Sequence, residues 1–517
     1  MFESILYESH QESAEAETIQ SPDCFKDLNL DQIFVPIIKG TDAFDLSQVL
    51  YHPLCDASAV RYRQEIMQDF DEPDTYALFL WFSKRVHELE RYMVRVQKEL
   101  TDPNGFNNDY FTRSCCLEYA DRYCASVCEV MAGIENCHIH SRGLRSFLAY
   151  LTHYYHSPDF QTLCDEINHL KAAFSDIHFC MKLKDGTIHI RPYEGQSDLN
   201  PSIAALFSRF QQKDAVAHKR EHPRDYTAHH IDAAILTLLS RWYKDAFAEL
   251  EAFVQKHLYF LDQVIVRFSK EVHFYLSWHD YIAPLRESGL PFCYPLICDD
   301  TTQLHCNDGF DLALAKSLSF QGKKPVTNDF YLRTPEQIIV VTGPNQGGKT
   351  TFARSYGQLF YLASLGCCVP GSSASVCLFD HIYTHFNREE DLSTLNGKLQ
   401  DDLIRLHDIL GKATGRSILI VNEIFSSTTL QDALLLGRSM MEQITKLGCP
   451  AVCVTFLDEL ASFNEHTVSM MSMVNEADPT IRTYKVIRKS ADGLAYAAHI
   501  AQKYQLTYQD LSRRLQK

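Results

Sequence analysis

The stretch Gln337-Ile-Ile-Val-Val-Thr-Gly-Pro-Asn-Gln-Gly-Gly-Lys-Thr-Thr351 runs from an apolar, β-branched segment through a glycine-rich turn into a helical pattern that continues to Leu365. Within it, Gly343 to Thr350 fits GxxxxGK[ST] in full, with a strand pattern before and a helix pattern after. That context separates a phosphate-binding loop from a chance glycine cluster. Glycine lets such a loop wrap so that successive backbone N–H groups point inward, and the helix N-terminus adds positive potential. The candidate binding residues are therefore Gly343, Pro344, Asn345, Gln346, Gly347, Gly348, Lys349, Thr350 and Thr351. Lys349 supplies a cation for the β- and γ-phosphates, and the Thr350 hydroxyl is placed to ligate magnesium, so ATP with Mg2+ is the expected ligand.

Two further apolar runs follow, Ser417–Val421 and Ala451–Thr455, separated by segments of helical length. Strands alternating with helices predict a parallel sheet. The first of these runs ends in Asn422-Glu423. A phosphate-loop enzyme ordinarily carries an aspartate there to hold magnesium. Asn422 keeps the shape and one carbonyl acceptor but loses the charge, so metal binding is expected to weaken and turnover to be slow. Glu423 remains able to act as general base.

Upstream the texture is helical. Ala77–Leu100 and Leu144–Phe174 repeat apolar residues at three- and four-residue spacing. Met181 to Arg191 alternates around Asp185-Gly186 and predicts a β-hairpin. Ile231 to Leu285 carries helical period without a proline until Pro284, which predicts a long lever-like helix or hairpin pair, or equally a plain bundle. The expected organisation is an acidic arm over 1–30, a helical core with lever and clamp over 31–290, and an α/β nucleotide-binding domain over 291–517.

The 517 residues include 45 % hydrophobic and 22 % charged side chains, ordinary globular usage. The formal net charge of −17 excludes a broadly basic nucleic-acid coat. Any DNA contact must come from a local stripe, and Lys213–Arg224 is the candidate, with a solvated loop as the plain alternative. The start lacks a cationic flank before an apolar run and no apolar stretch reaches the roughly 20 residues a membrane span needs, so a cytoplasmic protein without membrane association is expected. The 17 cysteines then read as reduced thiols. Cys115, Cys116, Cys124, Cys128 and Cys137, near His138 and His140, admit a metal site but lack knuckle spacing, so buried thiols are the expected reading.

The residues of the carboxy-terminal part resemble the MutS family of DNA mismatch-repair ATPases. Val341 to Thr351 is similar to that family's phosphate loop, whose Gly-Pro-Asn-x-Gly-Gly-Lys core is narrower than the general motif. Thr327-Asn328-Asp329 looks like the segment that lies against the adenine. Asp380 to Thr384, Glu390-Asp391-Leu392, Asn422-Glu423-Ile424 with Thr428, Thr429 and Asp432, and Thr455 to Leu460 resemble its later motifs. Arg63-Gln64 echoes a core-domain motif. The resemblance implies a multidomain fold: a mainly α-helical core, lever and clamp followed by an ABC-like P-loop NTPase domain. It further implies a homodimer, ATP-gated gripping of double-stranded DNA, and repair-protein partners.

The chain departs from that pattern in places. Gly397-Lys398-Leu399 stands where the family has the Ser-Thr-Phe that reaches the partner's γ-phosphate. Lys398 either replaces the hydroxyl with a cation or is a solvated loop lysine. Phe456 stands at the family's switch histidine, and Phe425-Ser-Ser427 where it has Gly-Arg-Gly. No amino-terminal mismatch-reading segment is visible in the sequence. An ATP-dependent protein scaffold of the same fold, without DNA binding, is the alternative. An ABC-type transporter subunit is disfavoured by the absence of a Leu-Ser-Gly-Gly-Gln-like signature.

Overall fold

The computed structural model describes residues 2–8, 21–40, 45–101, 110–185, 187–195, 230–298, 303–386, 397–425, 427–475, 478, 481–491 and 512. The expected basic stripe Lys213–Arg224 and the segment Glu390–Leu392 lie outside them. The chain forms two compact units that interleave in sequence. One joins Leu78–Asn136 to Leu148–Ser269; the other joins Met1–Ala77, Cys137–Phe147 and Lys270–Lys517.

The first unit is helical. Tyr110–Gly133 buries Phe111, Cys115, Cys116, Tyr119 and Tyr123 along one side and packs with Pro158–Ser175 and Lys244–His257. Phe247 stands edge-on to Tyr110 at 4.9 Å and to Phe174 at 5.3 Å, the arrangement that ring quadrupoles favour. The expected hairpin is present, Phe179–Lys184 against Thr187–Pro192, with Asp185 at φ 49° in the turn. Cys116 is fully buried, and burial pushes its thiol up to about 12. Among the described residues no group of three or more metal-ligating side chains assembles; the cysteines on this helix are mostly core thiols, Cys128 being exposed.

The lever-like reading of Ile231–Leu285 needs correction in one respect. The segment is not continuous: helices run over His230–Trp242, Lys244–His257 and Gln263–Glu287. Asp262 explains the last break. Its Oδ1 accepts from the N–H groups of Val264 and Ile265, each at 2.9 Å, and an N-cap of this kind starts a new helix where periodicity alone reads on.

The second unit holds the α/β region. Its framing helices are α1 (Cys24–Asp27), α2 (Ala57–Asp69), α3 (Lys349–Ser364), α4 (Lys398–Lys412) and α5 (Leu430–Leu447). The strands of its two larger sheets are β1 (Leu296–Cys298), β2 (His305–Gly309), β3 (Asn328–Tyr331), β4 (Ile338–Thr342), β5 (Ser373–Cys377), β6 (Ile382–Phe386), β7 (Ile418–Asn422), β8 (Ala451–Val454), β9 (Thr467–Val474) and β10 (Arg482–Arg488). Six of them form one sheet in the order β6-β7-β8-β4-β9-β10, parallel from β6 to β9, with β10 antiparallel at the edge. A smaller mixed sheet takes the order β1-β5-β2-β3. Every residue of β4, β7 and β8 is buried. Strands covered on both faces need no polar alternation, which is why these three read as unbroken apolar runs.

The amino-terminal residues belong to this unit. Phe2, Ile5 and Leu6 are buried, and the Ile5 N–H donates to Glu271 at 3.0 Å. Arg63 on α2, wholly buried, donates to Leu6 O at 2.9 Å and to Leu365 O at 3.3 Å, while Gln64 donates to Pro295 O at 3.0 Å. The Arg63-Gln64 pair thus staples the amino-terminal segment to the chain around the sheet. The buried carboxylate of Asp27 on α1 accepts from Thr384 Oγ1 at 2.7 Å and from Arg405 at 3.2 Å. Part of the expected acidic arm is therefore docked. Among the described residues no helix is long and apolar enough to cross a membrane.

Candidate functional site

Parallel α/β sheets open their ligand crevice at the carboxyl ends of the strands. Here the ends of β4, β7, β8 and β9 converge on the loop 343–348. Gly343 sits at φ 113° and Gly348 at φ 94°, backbone that only glycine adopts without strain. Gly348 is also the N-cap residue of α3. Space demands glycine as well. A Cβ on Gly343 would stand 2.8 Å from Ser472 O, and one on Gly347 would stand 2.2 Å from Ser472 Oγ. Ser472, on β9, donates its hydroxyl to Gly347 O at 2.6 Å. Asn345 and Gln346 are exposed at the loop's tip, and Pro344 is buried.

Lys349 opens α3 and points back into the loop. Its ammonium donates to Gly343 O at 3.0 Å and Pro344 O at 3.1 Å, and it lies 4.5 Å from the centre of the Phe456 ring. Burial pushes its pKa below the usual lysine value; the negative charge of Glu423 opposes that push, and the positive charge of Arg482 adds to it. Phe456, half-exposed, therefore holds the cation by its π face.

Thr350 Oγ1 donates to Asn422 Oδ1 at 3.1 Å. The two sequence-expected magnesium residues are thus in direct contact, at the ends of α3 and β7. Glu423 follows at φ 53°, its N–H bonded to Val454 O at 2.8 Å. Asn328 stands on β3 with its Oδ1 accepting from the Val486 N–H at 2.7 Å and its Nδ2 donating to Tyr484 O at 3.3 Å. Tyr484 O in turn lies 3.5 Å from the place of a Cβ on Gly348. Asn328 therefore borders the loop through β10. Thr351 is the third residue of α3, half-buried. Lys398 is the first residue of α4, with Gly397 as N-cap; its charge opposes the upward push that burial gives the Asp402 carboxyl one turn later.

Three neighbours of the loop could not be placed from the sequence. Ser472 lies in an apolar run, and only its small size hints at close backbone approach. Phe456 could be named but not placed. Arg482 donates its Nε–H to Asn345 O at 3.1 Å; one arginine after an acidic loop carries no motif.

A glycine loop at a helix N-terminus, a buried ammonium and a carboxylate close enough to be felt by it form an arrangement that can receive a compact polyanion. Residues 339–513 match the family model for MutS domain V. The DNA mismatch repair protein MutS of Thermotoga maritima is 29 % identical over 171 residues, 32 % of this chain and 22 % of that protein. The MutS proteins of Acetivibrio thermocellus and Chlorobaculum tepidum are 28 % and 30 % identical over 216 and 215 residues, each covering 41 % of this chain and 24 % of the relative. The matched region belongs to the MutS family. The alignments to these MutS relatives thus span less than a quarter of their length. The match takes in the loop, Asn422-Glu423, Phe456, Ser472 and Arg482, so the MutS domain V region contains the site described above apart from Asn328 on β3.

Proposed function

We propose that this chain binds ATP at Gly343–Thr350 and hydrolyses it slowly, and that as a dimer it grips duplex DNA when nucleotide fills the paired sites. The observation that carries the reading is the loop itself: glycines where a Cβ would collide, at the start of α3, and Lys349 buried among loop carbonyls. An ammonium held by two backbone carbonyls and an aromatic face is poised to exchange them for phosphate oxygens, which are stronger partners for it.

In this reading Gly343, Pro344, Asn345, Gln346, Gly347, Gly348, Thr350 and Thr351 wrap the triphosphate, and Asn328 borders the base. Glu423 orients a water and takes its proton at the carboxylate. Magnesium, the usual companion of ATP, meets a thin donor set: the Thr350 hydroxyl and the neutral Asn422 amide, already bonded to each other. Mg2+ favours hard, charged oxygen ligands, and these two residues supply none.

Support for a DNA role is the domain match and the printed function of the relatives. The net charge of −17 favours a second reading, a nucleotide-dependent protein scaffold of the same family. Glu423→Gln should keep ATP binding and lower turnover by about 10²–10⁴-fold, the ordinary contribution of a general base; unchanged turnover moves the base elsewhere. Gel-shift of duplex DNA at low and high salt, with and without a nonhydrolysable ATP analogue, decides between the two readings. Binding at low salt that the analogue strengthens supports the clamp; no binding at any salt leaves the scaffold.

A further inference from the structure

Resting on the ATP-binding reading, we propose that this site holds nucleoside triphosphate with little help from a divalent cation, Arg482 supplying the positive charge that magnesium provides in related chemistry. Two observations carry it. First, the residue beside Thr350 is Asn422, 6 % exposed, whose Oδ1 accepts the Thr350 hydroxyl at 3.1 Å. Phosphate-loop enzymes place an aspartate there, and its charge is a large part of what retains the metal against the pull of water. A neutral amide of the same shape keeps the hydroxyl oriented but removes that attraction. It also removes a negative charge that would otherwise repel the triphosphate, so the metal is needed less.

Second, a guanidinium is bonded to the loop itself. Arg482, the first residue of β10, donates Nε–H to Asn345 O at 3.1 Å. Its charge is close enough to act on Lys349, adding to the effect of burial. Guanidinium is permanently charged, weakly hydrated and shaped for phosphate oxygens. Two cations thus contact the loop, Lys349 at the carbonyls of Gly343 and Pro344 and Arg482 at that of Asn345. Glu423 is the acidic group acting on Lys349. Lys349 and Arg482 together offset part of the triphosphate's negative charge without a metal ion. Magnesium that does enter, bound to the nucleotide's own oxygens, gains little from the protein.

The test is equilibrium binding of ATP to the full chain, by calorimetry or a fluorescent ATP analogue, in excess magnesium and in EDTA. The expected wild-type affinities agree within roughly threefold. Asn422→Asp should lose about tenfold or more in EDTA and recover in magnesium, as a restored carboxylate first repels the triphosphate and then retains the metal. Arg482→Gln should weaken metal-free binding by about tenfold, a typical loss for one charge-assisted contact, while Arg482→Lys keeps most of it. A melting curve on each variant confirms folding. Wild-type binding that collapses in EDTA but persists in magnesium overturns the inference and leaves the ATP-binding reading standing. Arg482→Gln with unaltered metal-free affinity overturns the role of Arg482. Absence of binding in both conditions overturns the ATP reading and this inference together.

Discussion

At the residue scale the site is organised around one buried cation. Lys349 is 3 % exposed and has exchanged water for two carbonyls, a ring face and the field of Glu423. Cation–π contacts contribute about 0.5–2 kcal/mol depending on desolvation. A double-mutant cycle of Lys349→Met and Phe456→Leu is therefore expected to give a coupling of about 1 kcal/mol in chemical unfolding. Additive effects of the two changes would mean that the ring merely borders the lysine. This pairing was not legible in the sequence. Lys349 announces itself by motif, but Phe456 lies about a hundred positions away, and only the parallel ends of β4 and β8 bring the two together.

At the element scale the decisive contact is between the loop and β9. Gly347→Ala would drive its Cβ to 2.2 Å from Ser472 Oγ, a distance no structure tolerates, so the loop or the strand must move. Gly347→Ala is expected to weaken ATP binding by about tenfold or more, since displaced loop amides no longer converge. Adding Ser472→Ala removes the clashing oxygen and should recover part of the loss. A double variant as weak as the single one would place the cause elsewhere, for example at Pro344 O, 3.0 Å from the same Cβ. The strands themselves were readable, because burial on both faces writes a continuous apolar run, and the helix after Lys349 was readable from its period. The breaks within Ile231–Leu285 were not. Asp262 is one polar residue among many, and its capping role exists only once the chain has turned.

At the scale of the whole molecule, sequence order misleads. The units interleave, so residues before position 80 build the unit that carries the site, through Arg63, Asp27 and the segment 2–8. Such long-range contacts leave no periodicity to read. The same packing buries His279 in that unit, where its Nε2 meets Met67 O at 3.1 Å. Burial pushes its pKa below the ordinary histidine value of 6.5; Arg286 adds to that push, while Asp71, the Met67 carbonyl and Asp280 oppose it. The unfolded chain then takes up the proton first as the pH falls. The contribution of neutral His279 is fully present above 6.5 and is lost progressively below it, by up to about 1.4 kcal/mol per pH unit. Urea unfolding between neutral pH and pH about 5 should therefore show a declining stability that His279→Asn flattens. An equal decline in the variant would assign the acid sensitivity to other groups.

In the proposed function the loop between β4 and α3 grips a triphosphate with Lys349 as its cation. Equilibrium binding of ATP to the full-length wild-type chain and to Lys349→Ala, in magnesium, tests it most directly. The expected result is saturable, one-to-one binding by the wild type and a loss of at least about a hundredfold in the variant, about 2.7 kcal/mol. Wild-type protein that takes up no ATP, or a variant that binds it as well as the wild type, would contradict the account.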